Sequence, residues 1–185
     1  MAELLKPKNT NPRGIPEAPF IEKVDSVLKN PDDDFDTTMN LFQQRLQQYK
    51  YMELSKKQQL ADLQIKIPDI EKNLAVIKLI KQKKEKNDKE MITNYELNDT
   101  LYSKATIDVK NLDSVYLWLG AEVMLEYNLE DATELLNDRL KKNQEQLKIV
   151  TEDLEFLKEN ITTMEVNTAR LYNWDVERRK KAKAA

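Results

Sequence analysis

The sequence contains no cysteine and no histidine, and only two glycines, Gly14 and Gly120, among 185 residues. Without cysteine there is no disulfide, no thiolate nucleophile and none of the common structural zinc constellations, and such a chain suits a reducing compartment. Cytoplasm, with the nucleus as second choice, is the expected location. Without histidine there is no imidazole acid, base or metal ligand. Two isolated glycines cannot build the glycine-rich cradle of a nucleotide loop. Long apolar runs are also missing. Nothing approaches the roughly 20 apolar residues of a membrane helix, and Met1 to Arg13 lack the apolar core of a signal peptide. The expected catalytic, metal and cofactor sets are therefore all empty: an enzyme is not expected, and neither a membrane nor a nucleic acid is an expected partner.

What is abundant is charge. Asp, Glu, Lys and Arg make up 34% of the chain, with 30 basic against 33 acidic residues and a net charge of -3. The balance is too even to steer a polyanion, so the electrostatics are local. High charge with few glycines and four phenylalanines suits long helices that bury one narrow stripe. Asp32 to Asp34 with Asp36 lack the glycine and bidentate glutamate of a calcium loop, and they precede a helix start that favours negative charge. The basic run Arg178, Arg179, Lys180, Lys181 and Lys183 reads as a solvated tail; a nuclear or nucleic-acid role is the weaker reading.

Five of the six prolines fall in residues 1–34, which predicts a flexible, extended N-terminal arm. Phe20, Ile21, Val24, Val27 and Leu28, between Pro19 and Pro31, have the spacing of a short amphipathic helix. From Phe35 apolar residues recur in alternating steps of four and three through Met39, Phe42, Leu46, Tyr49, Leu60, Leu63, Ile67, Ile70, Leu74 and Ile77. The seam lapses only at Glu53 and Lys56. Pro68 lies within the run and predicts a kink rather than a break. The lysines of 81–89 suit a helix C-terminus, so a helix is expected over 35–89. A second seam runs through Leu129, Leu136, Leu140, Leu147, Val150, Leu154, Leu157, Ile161, Met164 and Leu171, with Thr133, Asn143 and Thr168 as polar lapses. Asn128 with Asp131 three residues on marks its N-cap, so a helix is expected over 129–178, with a basic tail at 181–185.

Between the helices the side-chain period becomes two: Tyr95 and Leu97, then Leu101, Ser103, Ala105 and Ile107, then Val115, Leu117 and Leu119, then Val123, Leu125 and Tyr127. Two β-hairpins within 92–127 follow, the first turning at Asn98-Asp99 and the second interrupted by Gly120. The expected fold is α+β, mainly α: a long antiparallel two-helix coiled coil with two β-hairpins inserted between the helices, together spanning 35–180. Hairpins this small are marginal alone, which marks Leu101, Ala105, Ile107, Val115, Leu117, Leu119, Val123, Leu125 and Tyr127 as a subunit-assembly surface.

The two seams, Phe35 to Ile77 and Leu129 to Leu171, are equal in length, so Phe35 pairs with Leu171 and Ile77 with Leu129. The same geometry gathers Phe35, Met39, Phe42, Met164, Leu171, Tyr172 and Trp174 at one end. Methionine and aromatic side chains suit promiscuous apolar binding, and these are the candidate client-binding residues. Phe35, Phe42 and Leu171 also lie where they would cap the coiled coil against each other, whereas Tyr172 and Trp174 lie off the seam.

The order helix, double hairpin, helix resembles the α class of the prefoldin family. The segments GIPEAPFIE (14–22), KYMEL (50–54), DTLYSKA (99–105), WLGAEVMLEY (118–127) and TMEVNTARLYNWDVERR (163–179) are similar to the subunit three type of that family. The resemblance implies a heterohexamer with five other prefoldin subunits of the α and β classes, whose hairpins form a double β-barrel carrying six coiled-coil arms. It also implies capture of unfolded actin and tubulin without ATP and their transfer to the cytosolic group II chaperonin. Without it, a coiled-coil scaffold or tether would lead; the inserted strands tell against that reading, since a tether needs only a tight bend between its helices.

Overall fold

In the computed structural model the described residues are 9–24, 28 and 31–184, excluding the side chains of 31–34, 183 and 184. Val27 and the side chains of Asp32, Asp33, Asp34 and Lys183 lie outside them. The element order is α1 (Pro31–Glu85), β1 (Glu90–Asn98), β2 (Leu101–Asp108), β3 (Ser114–Gly120), β4 (Val123–Asn128) and α2 (Leu129–Ala184). The fold is mainly helical, with two antiparallel strand pairs between two long helices. The chain divides into two compact units, one formed by Met1–Asp62 with Leu147–Ala185 and the other by Leu63–Gln146.

In the first unit the start of α1 packs against the end of α2. Phe35, Phe42 and Tyr49 from α1 are buried with Leu157, Met164 and Leu171 from α2, and Met39, Leu46 and Ile161 pack around them. These are the two heptad seams, meeting antiparallel as their spacing requires. Lys50 Nζ lies 2.9 Å from Glu165 Oε1, a solvent-exposed ion pair that bridges the two helices along one flank and adds little to their pairing. In the second unit Ile77 and Ile80 of α1 are buried with Leu129, Ala132 and Leu136 of α2. There the seam lapse Thr133 accepts a hydrogen bond from Lys81 Nζ at 3.0 Å while its hydroxyl donates to the Leu129 carbonyl, so the polar position is satisfied.

Helix ends follow local chemistry. Asn128 Oδ1 accepts the Asp131 backbone N–H at 2.7 Å, which makes Asn128 the N-cap of α2, and the Asn128 side-chain Nδ2 donates to Asp131 Oδ2 at 2.8 Å. α1 continues through Pro68 and ends at Glu85, short of the expected 89. The reason is Asn87, whose φ of 57° is left-handed. Its N–H bonds the Lys84 carbonyl and the Asp88 N–H bonds the Lys83 carbonyl, the Schellman pattern that terminates a helix. Lys83 Nζ reaches Asp88 Oδ2 at 2.8 Å, and that hydrogen bond holds the Asp88 carboxyl below its ordinary range. The four residues 86–89, assigned to the helix on charge alone, thus form its cap and the link to β1. At the other end α2 carries the basic residues Arg178 to Lys181 in helix rather than in a loose tail.

β1 pairs with β2, placing Met91 opposite Ile107, Thr93 opposite Ala105 and Tyr95 opposite Ser103. β3 pairs with β4, placing Val115 opposite Tyr127, Leu117 opposite Leu125 and Trp118 opposite Met124. The second turn holds Ala121 and Glu122 at φ of 48° and 60°, the left-handed pair that a tight hairpin turn demands, with Gly120 at 94° before them.

Candidate functional site

The hairpins present their apolar side chains unevenly. Val115, Leu117 and Tyr127, with Leu112, pack onto the Ile77, Leu129 and Leu136 cluster of their own unit. They are half-buried and anchor the second hairpin to its helices. The opposite face carries Tyr116, Trp118 and Met124, all exposed, with Trp118 at 57%. Of the residues expected to mediate assembly, Val123, Leu125 and Leu101 are exposed, while Leu119, Ala105 and Ile107 are partly covered. The first hairpin also leaves Ile92, Tyr95, Leu97 and Tyr102 in solvent. Exposed large apolar side chains in such number on two short hairpins mark surfaces that another chain covers more often than solvent does. Tyr116, Trp118 and Met124 were not among the sequence candidates, because apolar residues on both faces of β3 and β4 blur the period-two signal that separates inside from outside.

The aromatic end of the coiled coil is divided just as sharply. Phe42, Met164 and Leu171 are at most 1% exposed and belong to the core. A bound chain cannot touch them without parting the helices. Phe35 is buried too, Met39 is half-buried, and Trp174 packs against the same core beneath the Arg178 guanidinium, 5.6 Å from its ring centre. Tyr172 is 60% exposed. It borders an open groove of about 750 Å³ whose lining includes Phe35, Met39, Leu46, Ala169 and Val176, with Glu165 and Arg179 at its edges.

The largest departure from expectation is the N-terminal arm. Its described part has no helix over Phe20 and Ile21, and the Leu28 N–H bonds the Val24 carbonyl; Val27 of the expected short helix lies outside the described residues. Nor is the arm loose. Ile15, Ala18, Ile21, Val24 and Leu28 are buried against Phe35, Phe42, Tyr49, Leu157, Met164 and Leu171. Its contacts come from a polar ladder on α2 that repeats every seven residues: Asp153, Asn160 and Asn167, all buried. Asn160 Oδ1 accepts the Ala18 N–H and its amide donates to the Phe156 carbonyl. Asn167 Oδ1 accepts the Ile21 N–H at 3.0 Å and its amide donates to the Pro19 carbonyl at 2.6 Å. Arg170 donates to the Ile21 carbonyl at 2.8 Å and stacks on Phe20, 4.7 Å from its ring centre. From α1, the Tyr49 hydroxyl donates to the Pro16 carbonyl at 2.9 Å, and burial pushes its phenol pKa up, keeping it a donor.

Asp153 closes the other end of the ladder. Its carboxylate takes the Arg13 guanidinium and the Asn11 amide on Oδ1, the latter at 2.8 Å, and Lys56 Nζ on Oδ2 at 2.9 Å. Burial pushes this carboxyl upward, but Lys56 and Arg13 outweigh it and hold the pKa below the ordinary carboxylate range. Lys56, a lapse in the α1 seam, thus has its anion in unit one. The loop before it is shaped locally: Asn11 Oδ1 accepts the N–H groups of Arg13 and Ile15, and Gly14 sits at φ 83°.

Ordering the ten backbone residues 15–24 costs on the order of 10 kcal/mol. Burying Ile15, Ala18, Ile21 and Val24 returns on the order of 6–8 kcal/mol. The remainder is about what the side-chain-to-backbone bonds supply, at about 1 kcal/mol each.

Among the described residues no three His, Cys, Asp or Glu side chains form a group that could hold a metal ion, and no helix is long and apolar enough to cross a membrane.

A coiled-coil pair whose helices are joined by two partly uncovered hairpins defines a class of hairpin-bearing coiled-coil chains. The family model for prefoldin subunits matches residues 49–174. Prefoldin subunit 3 of Saccharomyces cerevisiae is 46% identical over 191 residues, covering all of this chain and 96% of that protein. Prefoldin subunit 3 of Homo sapiens is 45% identical over 169 residues, covering 91% of this chain and 84% of that protein. The fold matches that of a filamentous PFD from Methanocaldococcus jannaschii at a TM-score of 0.50 and 15% identity, over 68% of this chain and 98% of that one. The chain belongs to the prefoldin subunit family, and its relatives are of the subunit three type.

Proposed function

We propose that this chain is one arm of a heterohexameric, ATP-independent co-chaperone, built with five other α- and β-class prefoldin subunits. In this reading it holds unfolded actin and tubulin and delivers them to the cytosolic group II chaperonin. The observation that carries the assembly half is the uncovered apolar surface of the hairpins, with Ile92, Tyr95, Leu97 and Leu101 exposed on the first and Tyr116, Trp118 and Met124 on the second. Such strands gain by adding to the sheets of neighbouring chains, which covers their faces and pairs their free edges.

The holding half rests on the Tyr172 groove. Flexible Met39 and amphipathic Tyr172 offer adaptable apolar contact without a shaped pocket for one ligand, which suits non-native chains of varied sequence. Binding of this kind needs no nucleotide, and release follows when a downstream folding machine competes for the same apolar segments. Cytosol is the compartment in which such clients are made.

Native mass spectrometry of the tagged protein, purified gently from its own cells, tests the reading. A discrete complex of six different small coiled-coil chains is the expected result. A homodimer, a fibre or a single large scaffold partner would overturn it in favour of a structural tether.

A further inference from the structure

Burial along the arm repeats at Ile15, Ala18, Ile21 and Val24, every third residue, with Pro16 and Pro19 between. Three residues per turn is the repeat of the polyproline-II helix, whose N–H and C=O groups are free for a receptor; Ile15 and Glu17 bond back within the arm, to Asn11 and Asn9, and the stretch from Ala18 to Ile21 bonds the coiled coil instead. Here that receptor is the chain's own coiled coil. Tyr49, Asn160, Asn167 and Arg170 bond main-chain atoms of residues 16–21 rather than their side chains.

We infer that this groove is a binding site for extended, proline-containing segments of other polypeptides, and that the N-terminal arm is its resident, exchangeable ligand. Three features carry the inference. Recognition through the main chain is tolerant of sequence, asking only for small or aliphatic side chains at every third position and prolines that pre-set the backbone. Asn160 and Asn167 are 4% and 1% exposed in the docked state, and each directs its carboxamide oxygen at the arm. Emptied, the groove would expose its apolar floor to water with two carboxamides already placed to take up a main chain, so a suitable strand regains the buried apolar area and those bonds together. Finally, the contacts peculiar to the resident are few: Asp153 with Arg13 and Asn11 beyond one end of the stretch, and Arg170 stacked on Phe20 within it. These, with the tether to α1, give the arm its advantage over a foreign segment, since a short tether supplies an effective concentration of order millimolar.

The test is made on the assembled complex. A protease site is inserted between Lys29 and Asn30 and cut after assembly, so that folding precedes release of the tether. A fluorescent peptide of residues 9–28 is then added and its anisotropy followed. Saturable exchange into the cut complex, but not the uncut one, is expected. Replacing Asn160 and Asn167 by alanine should weaken binding about tenfold or more. Tyr49→Phe, which keeps the ring and loses only the hydroxyl, serves if the double variant does not assemble, and should weaken it several-fold. A peptide of unrelated sequence that keeps the prolines and the every-third apolar positions should compete within about tenfold of the native one. The inference is overturned if the cut arm never exchanges, if the asparagine and tyrosine changes leave affinity untouched, or if only the native sequence binds. None of these readouts involves client capture, so they stand or fall apart from the chaperone reading.

Discussion

Asn167 of α2 holds Ile21 of the N-terminal arm by its backbone N–H at 3.0 Å while donating to the carbonyl two residues earlier, so one buried carboxamide clamps the arm from both sides. Replacing it by alanine removes both bonds and leaves a buried N–H and C=O without partners. The expected cost is about 2 kcal/mol in urea unfolding. Amide hydrogen exchange at Ile21 should accelerate, with that at Tyr49 in α1 little changed. Equal acceleration at both positions would mean the arm and the coiled coil open as one.

The carboxylate of Asp153 gives the arm an acid limit. Its pKa is lowered in the folded state, the favourable pairing with Lys56 and Arg13 outweighing burial. A group with a depressed folded pKa stabilises above its unfolded value, about 4, and that contribution is lost as pH falls through the lower folded value. Docking of residues 9–24, followed by the NMR amide signal of Ile15, should therefore weaken as the pH drops below about 4. In the Asp153→Asn variant this acid step should disappear and docking should be weaker at neutral pH. An unchanged acid step in the variant would assign it to another group.

Tyr172 and Leu171 are neighbours in sequence with opposite duties. Leu171→Ala opens a cavity in the core and should cost about 2–5 kcal/mol. Tyr172→Ser, at 60% exposure, should change stability by no more than about 0.5 kcal/mol while reducing capture of unfolded client in an aggregation-suppression assay. Undiminished suppression would remove the groove from the holding mechanism. Trp174 is a poorer probe, because it packs on the core and any loss of capture would be mixed with loss of packing.

On the second hairpin, Trp118→Ser with Tyr116→Ser strips the uncovered face without touching Val115, Leu117 or Tyr127. Helix content by circular dichroism should hold while the complex seen by native mass spectrometry shifts toward free subunits. Intact assembly would place the neighbouring subunits on another surface. Changing Leu117 instead should disturb the hairpin's own anchorage first, since it packs on the Ile77 and Leu129 cluster.

Much of this protein is written locally. The seams from Phe35 to Ile77 and from Leu129 to Leu171 are legible because a helix repeats its face every 3.6 residues whatever surrounds it, and the strand pattern over 92–127 because a strand alternates. The Asn128 cap needs only its neighbour three residues on. The sequence by itself therefore determined the two helices, the two hairpins and their antiparallel return. Seam position set Phe42 and Leu171 apart from Tyr172, but it did not show that Met164 is wholly core or that Trp174, off the seam like Tyr172, packs on the core while Tyr172 stays exposed, because only packing tells those apart. Nor did the sequence reveal which face of β3 and β4 lies on the helices. The docked arm was decided by tertiary structure alone. Its every-third-residue burial is too short a signal to stand out among prolines, and Asp153, Asn160 and Asn167 look like ordinary polar positions off the seam. They become a ladder only when two helices and an arm more than 120 residues away in sequence come together, since a hydrogen bond between residues 21 and 167 has no local trace.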